Sequence, residues 1–420
     1  MKYKSIVLAA ALTIFLTGCA GIEKDNSYVI DMGAVGIPDE TEPPTEPPFE
    51  KADVSILAVG DNLIHSCVYK TASDHAPDGI VYNFDYCYQN ISDRISQADI
   101  AMISQNTLIC NGELALSGAK QKFNSPVELG YDLAGIGFDV FSIGSSHVLD
   151  NGANGLELTL DYWEGLQKDY RNVLVTGAYR TEQDMQNYRV MEKDGLQIGF
   201  LDYTATTNGN TLPEDSSLIV ARTEQEELMQ NQIKELSGQV DCLIVSMYWG
   251  TEDSHEVDDS VKELAQNVIN WGADVIIGTG SHTLQTMEYL KRPDGSKGFV
   301  FYSLGNFISG QTDNFNMIGG MAEFRVCRDN QGEISLRDIE VTPVITQYES
   351  GMTNVRNYPY DEYTTELMEK HYLPYSGGGY AKKWNWEVID TIIEENIPPQ
   401  YRKNYTNQSA ETETESTDED

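Results

Sequence analysis

Four strings of residues carry side chains able to move protons or hold cations. Gly60-Asp61-Asn62-Leu63-Ile64-His65 follows the apolar run 54–59 and offers a carboxylate and an imidazole. Gly144-Ser145-Ser146-His147-Val148-Leu149-Asp150-Asn151-Gly152 follows 139–143 and offers His147. Met247-Tyr248-Trp249-Gly250-Thr251-Glu252 and Gly278-Thr279-Gly280-Ser281-His282 end two further apolar runs. A histidine titrates near neutrality, so it suits general acid–base work or metal ligation. Plainer readings stand beside these. A Gly-Asp pair also starts ordinary turns, a turn histidine also bonds its own backbone, and the last two strings announce no site unaided. Neither a Gly-rich phosphate loop nor a strand-end serine elbow accompanies them.

A sheet would gather these strings, because polar residues just past the strand ends of an α/β protein collect at one rim, where ligands bind. Runs 54–59, 100–103, 139–143, 198–203, 242–248, 275–277 and 299–302 read as buried strands. Segments 157–167, 224–236 and 258–271 carry helical spacing. Their alternation predicts an α/β layered structure. The run 321–340 reads as strands that close the domain, and 347–403 is rich in Tyr and Trp without clear period. The expected organisation is a signal segment 1–19, an acidic Pro-rich linker 20–52, an α/β domain 53–345, a C-terminal extension 346–406 and a disordered acidic tail 407–420.

Lys2 and Lys4 precede an apolar run 6–16 and Leu16-Thr17-Gly18-Cys19, a lipobox with Cys19 as the lipidation site. The run is too short to cross about 30 Å of hydrocarbon as a lasting helix. A plain secretory peptide cut near Ala20 is the alternative. The expected location is the extracytoplasmic face of the cell membrane, reached through the lipid. A formal charge of −38 argues against nucleic acid as a partner. Cys67, Cys87, Cys110, Cys242 and Cys327 are odd in number and contain no C-x-x-C pair, which fits neither a disulfide framework nor a zinc knuckle. Cys242 and Cys327 sit in apolar runs and read as buried, inert thiols.

Together the strings resemble the CapA family of capsule (poly-γ-glutamate) proteins, whose fold is similar to the calcineurin-like metallophosphatases. The resemblance spans 53–342. It is carried by Ala58-Val59-Gly60-Asp61-Asn62-Leu63-Ile64-His65, Phe123-Asn124-Ser125-Pro126, Gly137-Phe138-Asp139-Val140 and the string from His147 to Gly152. Trp249-Gly250-Thr251-Glu252, Gly272-Ala273-Asp274-Val275-Ile276-Ile277-Gly278 and Tyr302-Ser303-Leu304-Gly305-Asn306-Phe307 complete it. It implies a layered α/β sandwich with a strand-rich closing segment and a C-terminal extension.

The departures bear on chemistry. Where the family has Asn-x-Glu this chain has Ser104-Gln105-Asn106, and Asn-Asn-His becomes Ser145-Ser146-His147. His-Trp-Gly becomes Tyr248-Trp249-Gly250, and His-Pro-His becomes Gly280-Ser281-His282. Asp61, His147 and His282 remain, with His65 as a subfamily feature. Two dications need several anionic or imidazole ligands to offset dehydration. The expectation is therefore no metal cofactor. One divalent ion on Asp61, His282 and the Asn106 carbonyl is the alternative, with His147 as catalytic acid and Ser146 and Tyr248 on the rim. His75, His255 and His371 are expected outside the site.

The resemblance implies a surface lipoprotein acting in synthesis, anchoring or binding of an anionic envelope polymer, its hydrolase centre weakened or absent. The rival readings are a one-metal phosphoesterase or amide hydrolase, and an adhesive or scaffolding lipoprotein.

Overall fold

The computed structural model describes residues 49–119, 122–377 and 379–410. Cys19, the signal segment, most of the linker and residues 411–420 lie outside them. Among the described residues no helix is long and apolar enough to cross a membrane.

The described residues form two large sheets, beside two small two-stranded ones. β1 (Ala52–Asn62), β2 (Ile100–Gln105), β3 (Val140–Ser142) and β4 (Leu174–Thr176) begin the first. β5 (Arg189–Lys193), β6 (Leu196–Thr204), β7 (Cys242–Tyr248), β8 (Val275–Thr279), β9 (Met287–Lys291) and β10 (Lys297–Phe301) form the second. β11 (Asn306–Ile308), β12 (Ile318–Arg328), β13 (Ile334–Glu349) and β14 (Thr353–Pro359) return to the first. The spatial orders are β14-β13-β12-β1-β2-β3-β4, with β11 also on β1, and β9-β10-β8-β7-β6-β5. β1 to β4 are parallel neighbours, as are β6, β7, β8 and β10. The principal helices are α1 (Ser66–Asp74), α2 (Glu128–Ile136), α3 (Gly152–Asp169), α4 (Glu226–Ser237), α5 (Asp259–Trp271) and α6 (Trp386–Asn396).

Strand alternation explains the layering, because successive side chains point to opposite faces. In the second sheet Ile198, Phe200, Ile244, Ile277 and Phe301 join the core shared with Ile56, Ala58 and Val140 of the first. Their neighbours Leu201, Leu243, Val245, Ile276 and Val300 turn the other way, onto Ile233 of α4 and Val268 of α5. Leu133 of α2 and Leu156 of α3 belong to the larger core, where Trp163 lies 4.6 Å from Phe141 between ring centroids. The result is the layered α/β sandwich expected from the sequence.

Two boundaries differ from expectation. Residue 345 falls inside β13, and β14 adds a further strand beyond it. The segment past 345 is thus continuous with the first sheet, and Ile389, Ile392 and Ile393 of α6 enter the same core. Residues 407–410 are also tied down: the Asn407 side chain donates to Glu394 at 2.9 Å and the Ser409 N–H to Asp390 at 2.8 Å. Disorder expected from their polarity is offset by these acceptors on α6. The five described cysteines are free, and all but Cys67 are buried.

Candidate functional site

Asp61 owes its place to Gly60. A Cβ on Gly60 would collide with the Gly305 carbonyl oxygen, so only glycine lets β1 pass there. Up to Val59 the strand pairs with β12; at Asp61 and Asn62 it pairs with β11 instead, through an irregular register. Such a break re-aims side chains. Asp61 is completely buried. Its Oδ1 accepts from the Ser104 hydroxyl at 3.0 Å, and its Oδ2 accepts from the Gly280 N–H at 3.1 Å.

His282 Nδ1 reaches the same Oδ2 at 3.1 Å and Asn306 Oδ1 at 3.1 Å. Two acceptors converge on this nitrogen, so it carries a proton. Burial opposes charge on the ring, but the hydrogen bond to Asp61, with the charges of Asp61, Glu252 and Asp253, outweighs it and raises the His282 pKa. The residue holds φ at +60°, a left-handed conformation unusual for histidine. Its Nε2 stands 3.5 Å from the Tyr248 hydroxyl, which is 2.9 Å from Ser146 Oγ. Burial, then the Asp61 charge, pushes the Tyr248 pKa up, so the phenol stays neutral. Asn106 lies close enough to Tyr248 to favour its phenolate, yet neither amide atom makes a hydrogen bond of normal geometry.

His147 and His65 both pack edge-on against Phe123, with ring centroids at 4.6 and 5.1 Å. Asp150 accepts from His147 Nδ1 at 2.9 Å and from the Phe123 N–H at 2.7 Å. The carboxylate is an acceptor only, so His147 carries a proton on Nδ1, and Asp150 leaves its Nε2 unengaged. His65 is the reverse. Its Nδ1 stands 3.2 Å from the Leu63 carbonyl and accepts from the Gly310 N–H at 2.9 Å; the shorter contact comes from a group that can only donate, which places the ring proton on Nε2. Burial lowers the His65 pKa to about 4, so the ring stays neutral.

His65, Phe123, His147 and His282 line one cleft of about 540 Å³, which Glu252 and Asp253 also border. Asp61 sits beneath it, joined through His282. Asp61, Asn106, Ser146, His147, Tyr248 and His282 all stand at or just past the C-terminal ends of parallel strands from both sheets. His75 bonds to Asn354, His255 to the Leu284 carbonyl and His371 to the Thr346 carbonyl; none of the three lines this cleft. Sequence reasoning did not single out Asp150, Asn208 or Asn306. The His-x-x-Asp spacing from His147 was a usable signal for Asp150, whereas Asn208 lies in a loop without pattern.

The donor set does not fit a two-metal centre. Among the described residues no group of three or more His, Cys, Asp or Glu side chains is placed to hold a metal ion. Both Asp61 oxygens already accept protein hydrogen bonds. The unpartnered Asn106 amide is a weak, neutral donor, far short of what two dications require.

The chain is 26% identical over 218 residues to the capsule biosynthesis protein CapA of Bacillus anthracis, covering 50% of this chain and 48% of the relative. It is 24% identical over 212 residues to the PGA biosynthesis protein CapA of Bacillus subtilis (strain 168), covering 50% and 52%. The chain thus spans about half the length of the curated relatives it matches. Among solved structures it is similar to the Haemophilus influenzae NAD nucleotidase, at a TM-score of 0.43 and 12% identity, covering 88% of this chain and 68% of that one. A putative 5′-nucleotidase from Staphylococcus aureus gives 0.41 and 13%, covering 70% and 54%. Residues 55–311, well over half of the chain and every strand end of the cleft, match the family of the bacterial capsule synthesis protein PGA_cap, and the chain belongs to that family.

Proposed function

We propose that this protein is a lipid-anchored surface member of the family that acts in the synthesis, anchoring or binding of a capsule or envelope polymer of the poly-γ-glutamate type. In this reading its cleft binds a ligand and does not hydrolyse one. The observation that carries the reading is the state of Asp61. A metal needs carboxylate lone pairs, and here Ser104, Gly280 and His282 converge on them in a site closed to water. The hydrogen bond to Asp61 and its charge raise the His282 pKa against burial, which favours beside that carboxylate the positive charge a metal ion would otherwise bring.

The test uses the purified full chain. After dialysis it should hold far less than one equivalent of transition metal and show background phosphodiesterase activity. Asn106→Glu with Tyr248→His should raise zinc affinity, because a charge and an imidazole offset dehydration. Gly280 is unsuitable for that purpose: its φ is +101°, and a Cβ there would crowd the Trp249 backbone at 3.0 Å. Co-sedimentation with a γ-glutamyl polymer tests the polymer arm.

One observation favours a second reading, a one-metal phosphoesterase or amide hydrolase. His147 lines the cleft and is oriented by Asp150 through Nδ1 with Nε2 unengaged, the arrangement of a general acid–base group. Near one equivalent of metal, released by Asp61→Ala, would put this reading in place of the first.

A further inference from the structure

The cleft's own chemistry points to a ligand unlike a polyanion. Among the described residues no lysine or arginine lines it, whereas Glu252, Asp253 and Asp313 do. Lys382 reaches the rim but is tied to Asp313 at 3.3 Å and to the Thr312 carbonyl. Asn316 donates to one Asp253 oxygen at 2.9 Å, and Glu252 is exposed. Glu252 and Asp253 both act on His282, so their field reaches the floor of the cleft. His282 is paired with the buried Asp61 carboxylate, so the charge left to face a ligand is that of Glu252 and Asp253, which repels an incoming carboxylate or phosphate and draws in an ammonium.

A second, independent observation concerns the floor. The His147 side chain is 7% exposed, and among the described residues none makes a hydrogen bond to its Nε2. That nitrogen is open to the cleft the ring lines and is free to bond a ligand or water. His65 also packs edge-on against Phe123 and offers Nε2–H as a complementary donor. The cleft therefore presents two imidazoles around an apolar ring, and the amides of Asn208, Asn210 and Gln311 add both donors and acceptors to its lining. Alternating hydroxyls over an apolar carbon face match such a lining.

We propose that the cleft is a binding site for a positively charged, polyhydroxylated ligand of the amino-sugar class, with its hydroxyls on His147 Nε2, His65 Nε2–H and the amides and its ammonium toward Glu252 and Asp253. A volume of about 540 Å³ accommodates a ligand of one or two sugar rings. The proposal rests on reading the cleft as a binding site, and it adds the class of ligand.

Three probes share a ring and differ in charge: D-glucosamine, D-glucose and D-glucuronate. Isothermal titration of the full chain should rank them in that order of affinity, and added salt should narrow the gap between the first two. Glu252→Gln with Asp253→Asn, both exposed positions, should weaken glucosamine by about threefold or more and leave glucose unchanged. His147→Ala should weaken both sugars. Glucuronate or a γ-glutamyl oligomer binding as tightly as glucosamine, or glucosamine indifferent to the double variant, overturns the class and leaves a binding cleft standing. No binding of any probe by a metal-free protein overturns the binding-site reading and the proposal together. Tightly held metal overturns the reading beneath it.

Discussion

Burial and hydrogen bonding fix the tautomers of His65 and His147, and the same physics acts more strongly on His371 in the C-terminal extension. Its ring is fully buried, with Nε2 at 3.1 Å from the Thr346 carbonyl and the Leu373 N–H donating to Nδ1 at 3.0 Å. Burial lowers its pKa from 6.5 to about 3. Folded, the ring stays neutral down to that pH; unfolded, it takes a proton near 6.5. Its contribution to stability is therefore whole above pH 6.5 and is lost as pH falls toward 3. A tenfold change in a protonation equilibrium is worth about 1.4 kcal/mol. His371→Gln should destabilise the chain at pH 7 and flatten the loss of stability between pH 7 and 4 by on the order of 2 kcal/mol. Urea melts at the two pH values measure this, and an unchanged difference would contradict it. The sequence made Asp61, His147 and His282 legible because each follows an apolar strand. The jobs of Ser104 and the Gly280 N–H were hidden, because donors to Asp61 depend on which strands stand side by side. The role of Asn306 was hidden for the same reason.

At the scale of elements, two glycines should respond oppositely to the same change. Gly60→Ala would drive a methyl into the Gly305 backbone where β1 switches from β12 to β11. The turn must open, so the expected loss is about 3 kcal/mol or more, with Asp61 displaced. Gly165 lies within α3 and a Cβ there meets nothing within 4 Å. Gly165→Ala should stabilise by about 0.5–1 kcal/mol, through helix propensity and a less flexible unfolded chain. Thermal melts of the two variants against the parent check both signs, and a stabilised Gly60→Ala protein would refute the close approach. Apolar runs located β1, β2, β3, β6, β7, β8 and β10 within a few residues. β9 was not legible, since Glu288, Tyr289 and Lys291 point outward from an edge strand and leave no apolar run. β11 is three residues long and holds its place by pairing with β1, which no local pattern records. Alternating strands and helices also fit one continuous sheet. The split into two sheets becomes readable only from the second sheet, where Phe200 and Leu201, adjacent in sequence, enter different cores.

At the scale of the whole molecule, charge and attachment act together. A chain with a formal charge of −38 is repelled by an anionic membrane face and by an anionic polymer alike. Ordinary surface electrostatics therefore cannot keep it beside either, and no helix among the described residues can cross a bilayer. In the proposed reading, Leu16-Thr17-Gly18-Cys19, which lies outside the described residues, would offer covalent attachment instead. Acyl chains contribute about 0.8 kcal/mol per buried CH₂, and stable anchoring takes more than one chain, which easily exceeds the repulsion of screened charges about 8 Å or more away at physiological salt. Cys19→Ala should therefore release the protein: it should move from the detergent phase to the aqueous phase on Triton X-114 partitioning, in high salt as in low. A variant that stays in the detergent phase would show that something other than the Cys19 lipid holds the chain at the membrane. A parent protein released by salt alone would show that the attachment is electrostatic after all.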